Sequence, residues 1–323
     1  MAEIEYDGQT LKQSLKTAEE FLEKRIEEIN ALNVFPIPDG DTGINMYLTL
    51  QSATEAVKDL STTSAAEISA KAARGALLGA RGNSGVILSQ ILRGIAKGLE
   101  MKERFSAFDF AHALSCASDN AYKAVGQPVE GTILTVIREA AEVAVQRAER
   151  GANLKQTVTA IASQARSTVI RTPELLPILK EAGVVDAGGK GLMYFFLGMK
   201  SFISRKMDGM EKSKVVSRKA SLAPKPGEYG FDLQFLVEGD NLCIEEIREK
   251  ISDMGESVLV VGDEYLIRVH IHTQQPQAVL DYCSTRGHLQ DVNMENMDGQ
   301  VEKFKASQQP RRRISRNMAA VKA

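Results

Sequence analysis

Apolar residues in the first 205 positions recur at intervals of three and four, and this spacing constrains the fold more than any other feature of the sequence. The first run contains Leu11, Leu15, Ala18, Leu22, Ile26 and Ile29, with Glu and Lys between them, which is the pattern of an amphipathic helix. Seven alanine-rich runs follow, at 44–59, 65–80, 84–99, 107–124, 132–149, 154–169 and 189–204. Alanine is the best helix former and lets helices pack closely, so residues 1–205 predict an all-α domain of eight antiparallel helices without strands.

The pattern changes after residue 205. Residues 206–228 are rich in Lys and Ser, contain two prolines and lack helical periodicity, which predicts a linker. Residues 229–307 alternate between short strand and helix patterns in the order βαββαβ, which is typical of a ferredoxin-like α+β sandwich. The tail, 308–323, has no core pattern and is expected to be disordered.

Composition excludes several classes of function. With 40 Lys and Arg against 42 Asp and Glu, the net charge of -2 gives no electrostatic case for a nucleic-acid binder or a polybasic membrane protein. Three cysteines are too few for a disulfide scaffold, and the first 20 residues lack the apolar centre of a signal peptide. We therefore expect a cytoplasmic protein that inserts into no membrane and binds any anion through local groups.

Two carboxylates, Asp39 and Asp41, stand on either side of a glycine in the loop before the second predicted helix. Prolines hold this loop extended, so both side chains can project to one side and bind a hard cation such as Mg²⁺. The residues that lead into the helix, whose free N–H groups offer an anion site, are Thr42, Gly43 and Asn45. The alternative is an ordinary Asp-Gly turn before a capped helix.

Three further glycine-rich turns precede apolar helices. The first contains Gly82, Asn83, Ser84 and Gly85, where glycine would let the backbone approach phosphate oxygens, although a Ser N-cap explains this turn equally well. The others lie at residues 131–132 and 186–191. Four such turns would line one rim of an up-and-down bundle. The usual nucleotide-binding and protein-kinase motifs are absent from the sequence.

Together these segments resemble a known family. PDGDTGINM, ARGNSG, GTIL and TPELLPILKEAGVVDAGGKG are similar to the nucleotide-binding, DhaL-like domain of the dihydroxyacetone kinase family. NVFPIPDGDTG, followed by a second domain, more closely resembles the large ATP-binding subunit of bacterial fatty-acid kinase. The resemblance implies an eight-helix barrel that binds ATP and Mg²⁺ at one rim.

The resemblance also implies roles for individual residues. Asp39 and Asp41 match the metal-binding aspartates, while a third family aspartate has no counterpart and Asn33 is the nearest candidate. The residues that match the phosphate side of the family site are Thr42, Gly43, Asn45, Gly82, Asn83, Ser84 and Gly85. Those in motifs that approach the nucleotide are Thr132, Arg171 and Asp186.

The second domain contains a candidate zinc site. His270 and His272 are two residues apart in a predicted strand, so their imidazoles share one face, and Cys243 begins the preceding helix. These three side chains could hold Zn²⁺, as the resemblance also implies. Ordinary surface or packed histidines are the alternative.

These features predict a kinase subunit that uses ATP and Mg²⁺. The resemblance implies that a separate fatty-acid-binding carrier protein presents the carboxylate, that the product is an acyl phosphate, and that the protein forms a homodimer. It also implies a further C-terminal domain, so the chain is one domain short of that expectation. The alternatives are a non-catalytic module that binds nucleotide and zinc, and a dihydroxyacetone kinase subunit.

Overall fold

The computed structural model describes residues 5–208, a helical unit, and residues 230–308, a sheet unit. The described part of the helical unit contains α1 (Gly8–Glu23), α2 (Ile26–Asn30), α3 (Thr42–Glu55), α4 (Ala65–Leu78), α5 (Gly82–Gly98), α6 (Ala107–Ala124), α7 (Ile133–Glu149), α8 (Leu154–Leu175), α9 (Pro177–Ala182) and α10 (Ala187–Asp208). Eight of these are long, and they coincide with the eight predicted runs. The eight helices predicted from the spacing of apolar residues are thus confirmed.

Contacts between the eight long helices form a closed order, from α1 through α3, α4, α5, α6, α7, α8 and α10 back to α1. Small residues allow the closest of these approaches. A Cβ atom added to Gly94 of α5 would lie only 2.3 Å from the Cα atom of Ala117 in α6. Larger buried side chains, such as Phe110 and Phe195, fill the space between the helices.

The helical unit differs from the prediction in two places. Strand β1 (Tyr6–Asp7) pairs antiparallel with strand β2 (Arg104–Phe105), so the expectation of no strands in this unit was wrong. Two-residue strands have no periodic pattern, and this pairing depends on distant residues, including a ring contact of Tyr6 with Phe105. The first predicted helix is also divided, since α1 ends at Glu23 and α2 begins at Ile26.

The sheet unit has the predicted element order. It contains β3 (Phe231–Glu238), α11 (Ile244–Ser252), β4 (Glu256–Gly262), β5 (Leu266–Thr273), α12 (Pro276–Ser284) and β6 (His288–Asn296). The strands lie in the order β4-β5-β3-β6, and every neighbouring pair is antiparallel. The two central strands, β3 and β5, are therefore separated in sequence by a helix and a strand.

The two faces of this sheet have different partners. Alternate residues of β3, including Leu233 and Phe235, form a core with the apolar sides of α11 and α12. The opposite face lies against the helical unit, where Leu259 and Val261 of β4 pack with Val86 of α5. Polar side chains of β3 and β5 on this second face are therefore enclosed between the two units.

A last helix, α13 (Met297–Gln308), was not predicted. It buries Met297 and Val301 against Ile37 in the loop before α3, and the spacing of Met297, Val301 and Phe304 by four and three residues was the sequence signal for it. The predicted linker overlaps the end of α10, and its remaining residues, 209–228, lie outside the described residues, as does the predicted tail from 309 onward. No helix within residues 5–208 or 230–308 is both long and apolar enough to cross a membrane.

Candidate functional site

Four helix N-termini meet where the two units face each other. Residues at the starts of α3, α5, α7 and α10 line two adjoining pockets, one of about 600 Å³ and one of about 30 Å³. The residues that line both pockets are Phe35, Pro36, Asn83 and Ser84. The four turns singled out in the sequence are thus brought together, and the sheet unit closes the opposite side.

The smaller pocket contains the two predicted metal-binding aspartates. Asp39 and Asp41 are hydrogen-bonded to each other, and burial raises the pKa of both, with the charge of Asp41 raising the pKa of Asp39 further. The Nδ2 atom of Asn33 donates a hydrogen bond to Asp39, and the Asn45 side chain hydrogen-bonds Asp41. Two carboxylates this close repel each other when both are ionised, and a divalent cation relieves that repulsion.

Facing these aspartates is a second cluster, from the sheet unit. Asp232 of β3 and the pair His270 and His272 of β5 line the same small pocket, and a ligand atom of each lies within 4.8 Å of the others. Burial would raise the pKa of Asp232, but the neighbouring His270 lowers it overall. Burial, together with the charge of His270, lowers the pKa of His272 to about 3. The two predicted metal sites are therefore neighbours in one site.

Unsatisfied atoms in the second cluster fit a bound cation. Nδ1 of His270 lies 3.1 Å from Oδ1 of Asp232 without the alignment of a hydrogen bond, and both atoms, with Nε2 of His270, are buried without a hydrogen-bond partner. A buried polar atom without a partner is costly, so adjacent atoms of this kind are suited to bind a cation. Carboxylate oxygens suit Mg²⁺, whereas imidazole nitrogens suit transition metals such as Zn²⁺.

Cys243 does not belong to this cluster, and its prediction as a metal ligand was wrong. It is exposed and directly precedes α11, beyond the end of β3, whereas Asp232 lies near the start of that strand. Six strand residues separate the two ends by about 20 Å. The third residue that clusters with the two histidines is Asp232 and not Cys243.

The N-terminus of α5 offers two free backbone donors to the pockets. The N–H of Gly82 donates to Oε1 of Gln234 at 3.0 Å, and that of Gly85 donates to the carbonyl of Arg81 at 3.1 Å. The N–H groups of Asn83 and Ser84 have no partner within the helix, as is usual in a first turn. Gly82 has a φ of +56°, and a Cβ there would lie 2.3 Å from the Asn45 amide, so this turn requires glycine.

Two N–H groups at the N-terminus of α3 already have hydrogen-bond acceptors, which corrects the expectation that this helix start offers free donors to an anion. Oδ1 of Asn30 accepts the N–H groups of Gly43 at 2.7 Å and Ile44 at 3.3 Å, so these donors are not available to an anion. A Cβ on Gly43 would lie 2.5 Å from the carbonyl oxygen of Ile26. Gly43 thus allows α2 and α3 to pack closely, while Thr42 and Asn45 line the small pocket.

The larger cavity is lined by the starts of α7 and α10. Thr132 caps α7 by accepting the Leu134 N–H at 3.3 Å. Asp186 accepts the Gly189 N–H at 2.6 Å and hydrogen-bonds the backbone of Ile133, which joins the two helix ends. Burial raises the pKa of Asp186 to about 7. Both residues therefore line the cavity and hold the helix ends together, while their approach to a nucleotide stays a prediction.

Arg171 was predicted to approach the nucleotide, but the structure places it outside both pockets. Its Nη2 atom lies 2.5 Å from Oε2 of Glu139, and it is not among the residues that line either pocket. Glu139 also accepts hydrogen bonds from Gln164 and Thr168. Arg171 thus belongs to a polar network between α7 and α8.

Comparison with models of protein families identifies the family to which the chain belongs. Residues 36–201 match the model of the DAK2 domain. The chain belongs to the DAK2-domain family. Residues 228–304 of this DAK2-domain protein match a second model, described as the middle domain of FakA-like fatty acid kinase proteins.

Relatives of this DAK2-domain protein are longer than the chain itself. It is 39% identical over 306 residues to protein YloV of Bacillus subtilis, which covers 90% of the chain and 55% of the relative. It is 38% identical over 304 residues to an uncharacterized protein of Staphylococcus saprophyticus, again covering 90% of the chain and 55% of the relative. The chain thus spans about half the length of these relatives.

Among solved structures, the DAK2-domain protein is similar to dihydroxyacetone kinase of C. freundii. The native form gives a TM-score of 0.47 at 16% identity, covering 59% of the chain and 34% of the kinase. The complex with AMP-PNP and Mg²⁺ gives 0.45 at 16% identity, covering 58% and 33%.

Sequence reasoning missed two residues of the site in this DAK2-domain protein, Asp232 and Gln234. Both lie on one face of β3, and the register with β5 pairs them with His272 and His270 respectively. A signal existed, because strand alternation places Asp232 and Gln234 on the face opposite to the apolar residue Leu233 between them. Which strand would pair with the histidines was not encoded in that local pattern.

Proposed function

We propose that the chain is a phosphotransferase subunit that uses ATP and Mg²⁺. One observation carries this proposal: the carboxylates of Asp39 and Asp41 share a pocket with the first turn of α5, at the mouth of a cavity of about 600 Å³. Cavities of roughly 300–1,000 Å³ are typical of small-molecule and cofactor sites. The match of residues 36–201 to the DAK2 domain supports the same class of activity.

The residues of the small pocket would divide the work of phosphate binding. Asp39 and Asp41 would hold Mg²⁺, with Asn33 and Asn45 orienting the two carboxylates through hydrogen bonds. Residues 83 and 84 would donate their backbone N–H groups to phosphate oxygens. When bound, Mg²⁺ neutralises phosphate charge and fixes the direction of the transferred group.

The proposed acceptor is a fatty-acid carboxylate presented by a separate carrier protein. A carboxylate oxygen forms a bond to the γ-phosphorus while the bond to the bridging oxygen of ADP breaks, so the products are an acyl phosphate and ADP. The middle-domain match of residues 228–304 supports this acceptor. The proposal also includes a homodimer and Zn²⁺ at Asp232, His270 and His272.

The finer description of the fold belongs to this proposal as well. The closed order of eight long helices supports a DhaL-like barrel, and the order β4-β5-β3-β6 supports a ferredoxin-like sandwich in the sheet unit. In that arrangement the nucleotide would lie between the barrel rim and the sheet.

Two other functions would use the same pockets. A dihydroxyacetone kinase subunit would transfer phosphate to a small hydroxy compound, which the DAK2-domain match favours. A non-catalytic module would bind nucleotide and metal without turnover.

The test combines the chain with ATP, Mg²⁺ and a fatty-acid-loaded carrier protein, and traps acyl phosphate with hydroxylamine. We expect product from the unchanged chain and from Asp240→Asn, a variant at an exposed position, and a loss of at least about 100-fold in Asp41→Asn. Undiminished product from Asp41→Asn would contradict the metal-binding role. Transfer to dihydroxyacetone instead, or nucleotide binding without transfer to either acceptor, would favour the respective alternative.

A further inference from the structure

Gln234 of the sheet unit connects the cluster of Asp232, His270 and His272 to the first turn of α5 in the helical unit. Its Nε2 atom donates to Oδ2 of Asp232 at 2.7 Å, and its Oε1 atom accepts the N–H of Gly82 at 3.0 Å. Gln234 and Asp232 are buried, with 6% and 9% of their surfaces exposed, so little water competes for these bonds. One side chain therefore touches both halves of the site.

The orientation of this amide is fixed by its two partners. An ionised carboxylate only accepts hydrogen bonds, and a backbone N–H only donates them, so Gln234 must direct its NH₂ group to Asp232 and its oxygen to Gly82. Rotation of the amide by half a turn would break both bonds. A change in the position of the Asp232 carboxylate is consequently transmitted to Gly82.

The sheet unit also holds the residues just before this turn. The buried guanidinium of Arg268 donates to the carbonyl oxygens of Leu78 at 3.2 Å and Ala80 at 2.5 Å. Arg268 and His270 lie on the same face of β5. The segment from Leu78 to Gly82 is thus hydrogen-bonded at both ends to β3 and β5, the strands that contain Asp232, His270 and His272.

We propose that Gln234 is a positioning residue that couples cation binding at Asp232, His270 and His272 to nucleotide binding at the first turn of α5. The proposal rests on the proposed function, because it places nucleotide phosphates at the N–H groups of Asn83 and Ser84. A cation held by Asp232 fixes that carboxylate, which fixes Gln234 and, through Gly82, the direction of the two donors. Coupling of this kind is reciprocal, so nucleotide binding tightens cation binding by the same factor.

The test measures that reciprocal effect directly. Co²⁺ is titrated into the full chain at pH 7.5 and followed by its visible absorption, which reports imidazole ligands, with and without saturating ADP and Mg²⁺. Binding of ADP and Mg²⁺ is measured separately by calorimetry. The variants are Gln234→Met, which keeps the side-chain volume but forms neither bond, and Arg93→Met as the matched control. Arg93 donates to the carbonyl of Gly262, so this control also removes a hydrogen bond between the two units, but away from Gly82.

In the unchanged chain, we expect ADP and Mg²⁺ to lower the Co²⁺ dissociation constant by at least about fivefold. Arg93→Met should retain this shift, and Gln234→Met should lose it while still binding Co²⁺. Equal shifts in the unchanged chain and in Gln234→Met would overturn the coupling and leave the proposed function standing. Absence of ADP binding to the unchanged chain would overturn the proposed function and the coupling with it. Hydrogen exchange of residues 80–85 shows independently whether Gln234→Met has lost only the protection of the Gly82 N–H or has unfolded the unit.

Discussion

Nδ1 of His270 lies 3.1 Å from Oδ1 of Asp232, and neither atom has a hydrogen-bond partner although both are buried. Two atoms that bind the same cation are expected at such a separation. Asp232, which the sequence did not suggest as a ligand, is therefore the residue whose substitution should show most clearly whether this cluster binds a cation.

Asp232→Ala should weaken Zn²⁺ binding by at least about tenfold, because it removes one of three clustered ligands. Competition with a chromophoric chelator measures this affinity. Cys243→Ser provides the control, since that exposed thiol stands beyond the far end of β3 and its replacement should leave the affinity unchanged. The reverse order of effects would restore the cysteine as a ligand.

The sequence predicted those parts of the molecule that depend on local pattern. The eight long helices follow from a spacing of three and four residues, and the turn at Gly82 follows from glycine before an apolar helix. The position of Asp39 and Asp41 on either side of one glycine likewise predicted that the two side chains lie together. Each of these features involves residues within a few positions of one another.

What the sequence left undetermined depends on how the units pack. Nothing near Gln234 indicates that its partner is Gly82, 152 residues earlier in the chain. Cys243 was chosen because it begins a helix next to the histidine strand, but the register of β3 with β5 pairs His272 with Asp232. Contacts of this kind follow from strand register and docking, which local periodicity does not encode.

Asp39→Asn should stabilise the unliganded chain while abolishing phosphotransfer. Burial and the charge of Asp41 raise the pKa of Asp39, so at neutral pH this carboxyl group costs folding free energy, either through keeping its charge or through taking up a proton. Its removal should raise the free energy of unfolding in urea by about 1 kcal/mol, as is common where function maintains a strained site. Asp240→Asn, at an exposed position, should leave it unchanged. A less stable Asp39→Asn variant would show that its hydrogen bonds outweigh the repulsion.

Gly94→Ala should destabilise the helical unit by about 2 kcal/mol, because the added Cβ would lie 2.3 Å from the Cα of Ala117 and α5 and α6 would have to move apart. Gly126→Ala is the control, since no heavy atom lies within 4 Å of its added Cβ. Thermal unfolding followed by far-ultraviolet circular dichroism compares the two. Similar melting temperatures for both variants would show that the two helices separate at little cost.

Asp186→Asn should flatten the pH dependence of stability between pH 5 and pH 7. The folded protein has the pKa of Asp186 raised to about 7, against 3.8 for an ordinary aspartate, so the folded state binds this proton more tightly than the unfolded state does. The contribution of Asp186 to the free energy of unfolding is therefore highest at low pH and falls as pH rises between these two values. The slope is at most about 1.4 kcal/mol per pH unit.

The measurement is urea unfolding at pH 5, 6, 7 and 8, with the difference between the unchanged chain and the variant taken at each pH. Other buried groups, such as Asp39 and His272, titrate in both proteins and cancel in that difference. The variant can be less stable overall, because its amide has one acceptor oxygen for the Gly189 and the Ile133 N–H groups where the carboxylate has two. The slope of the difference is decisive: parallel curves would mean that Asp186 remains ionised in the folded protein, held by those two donors.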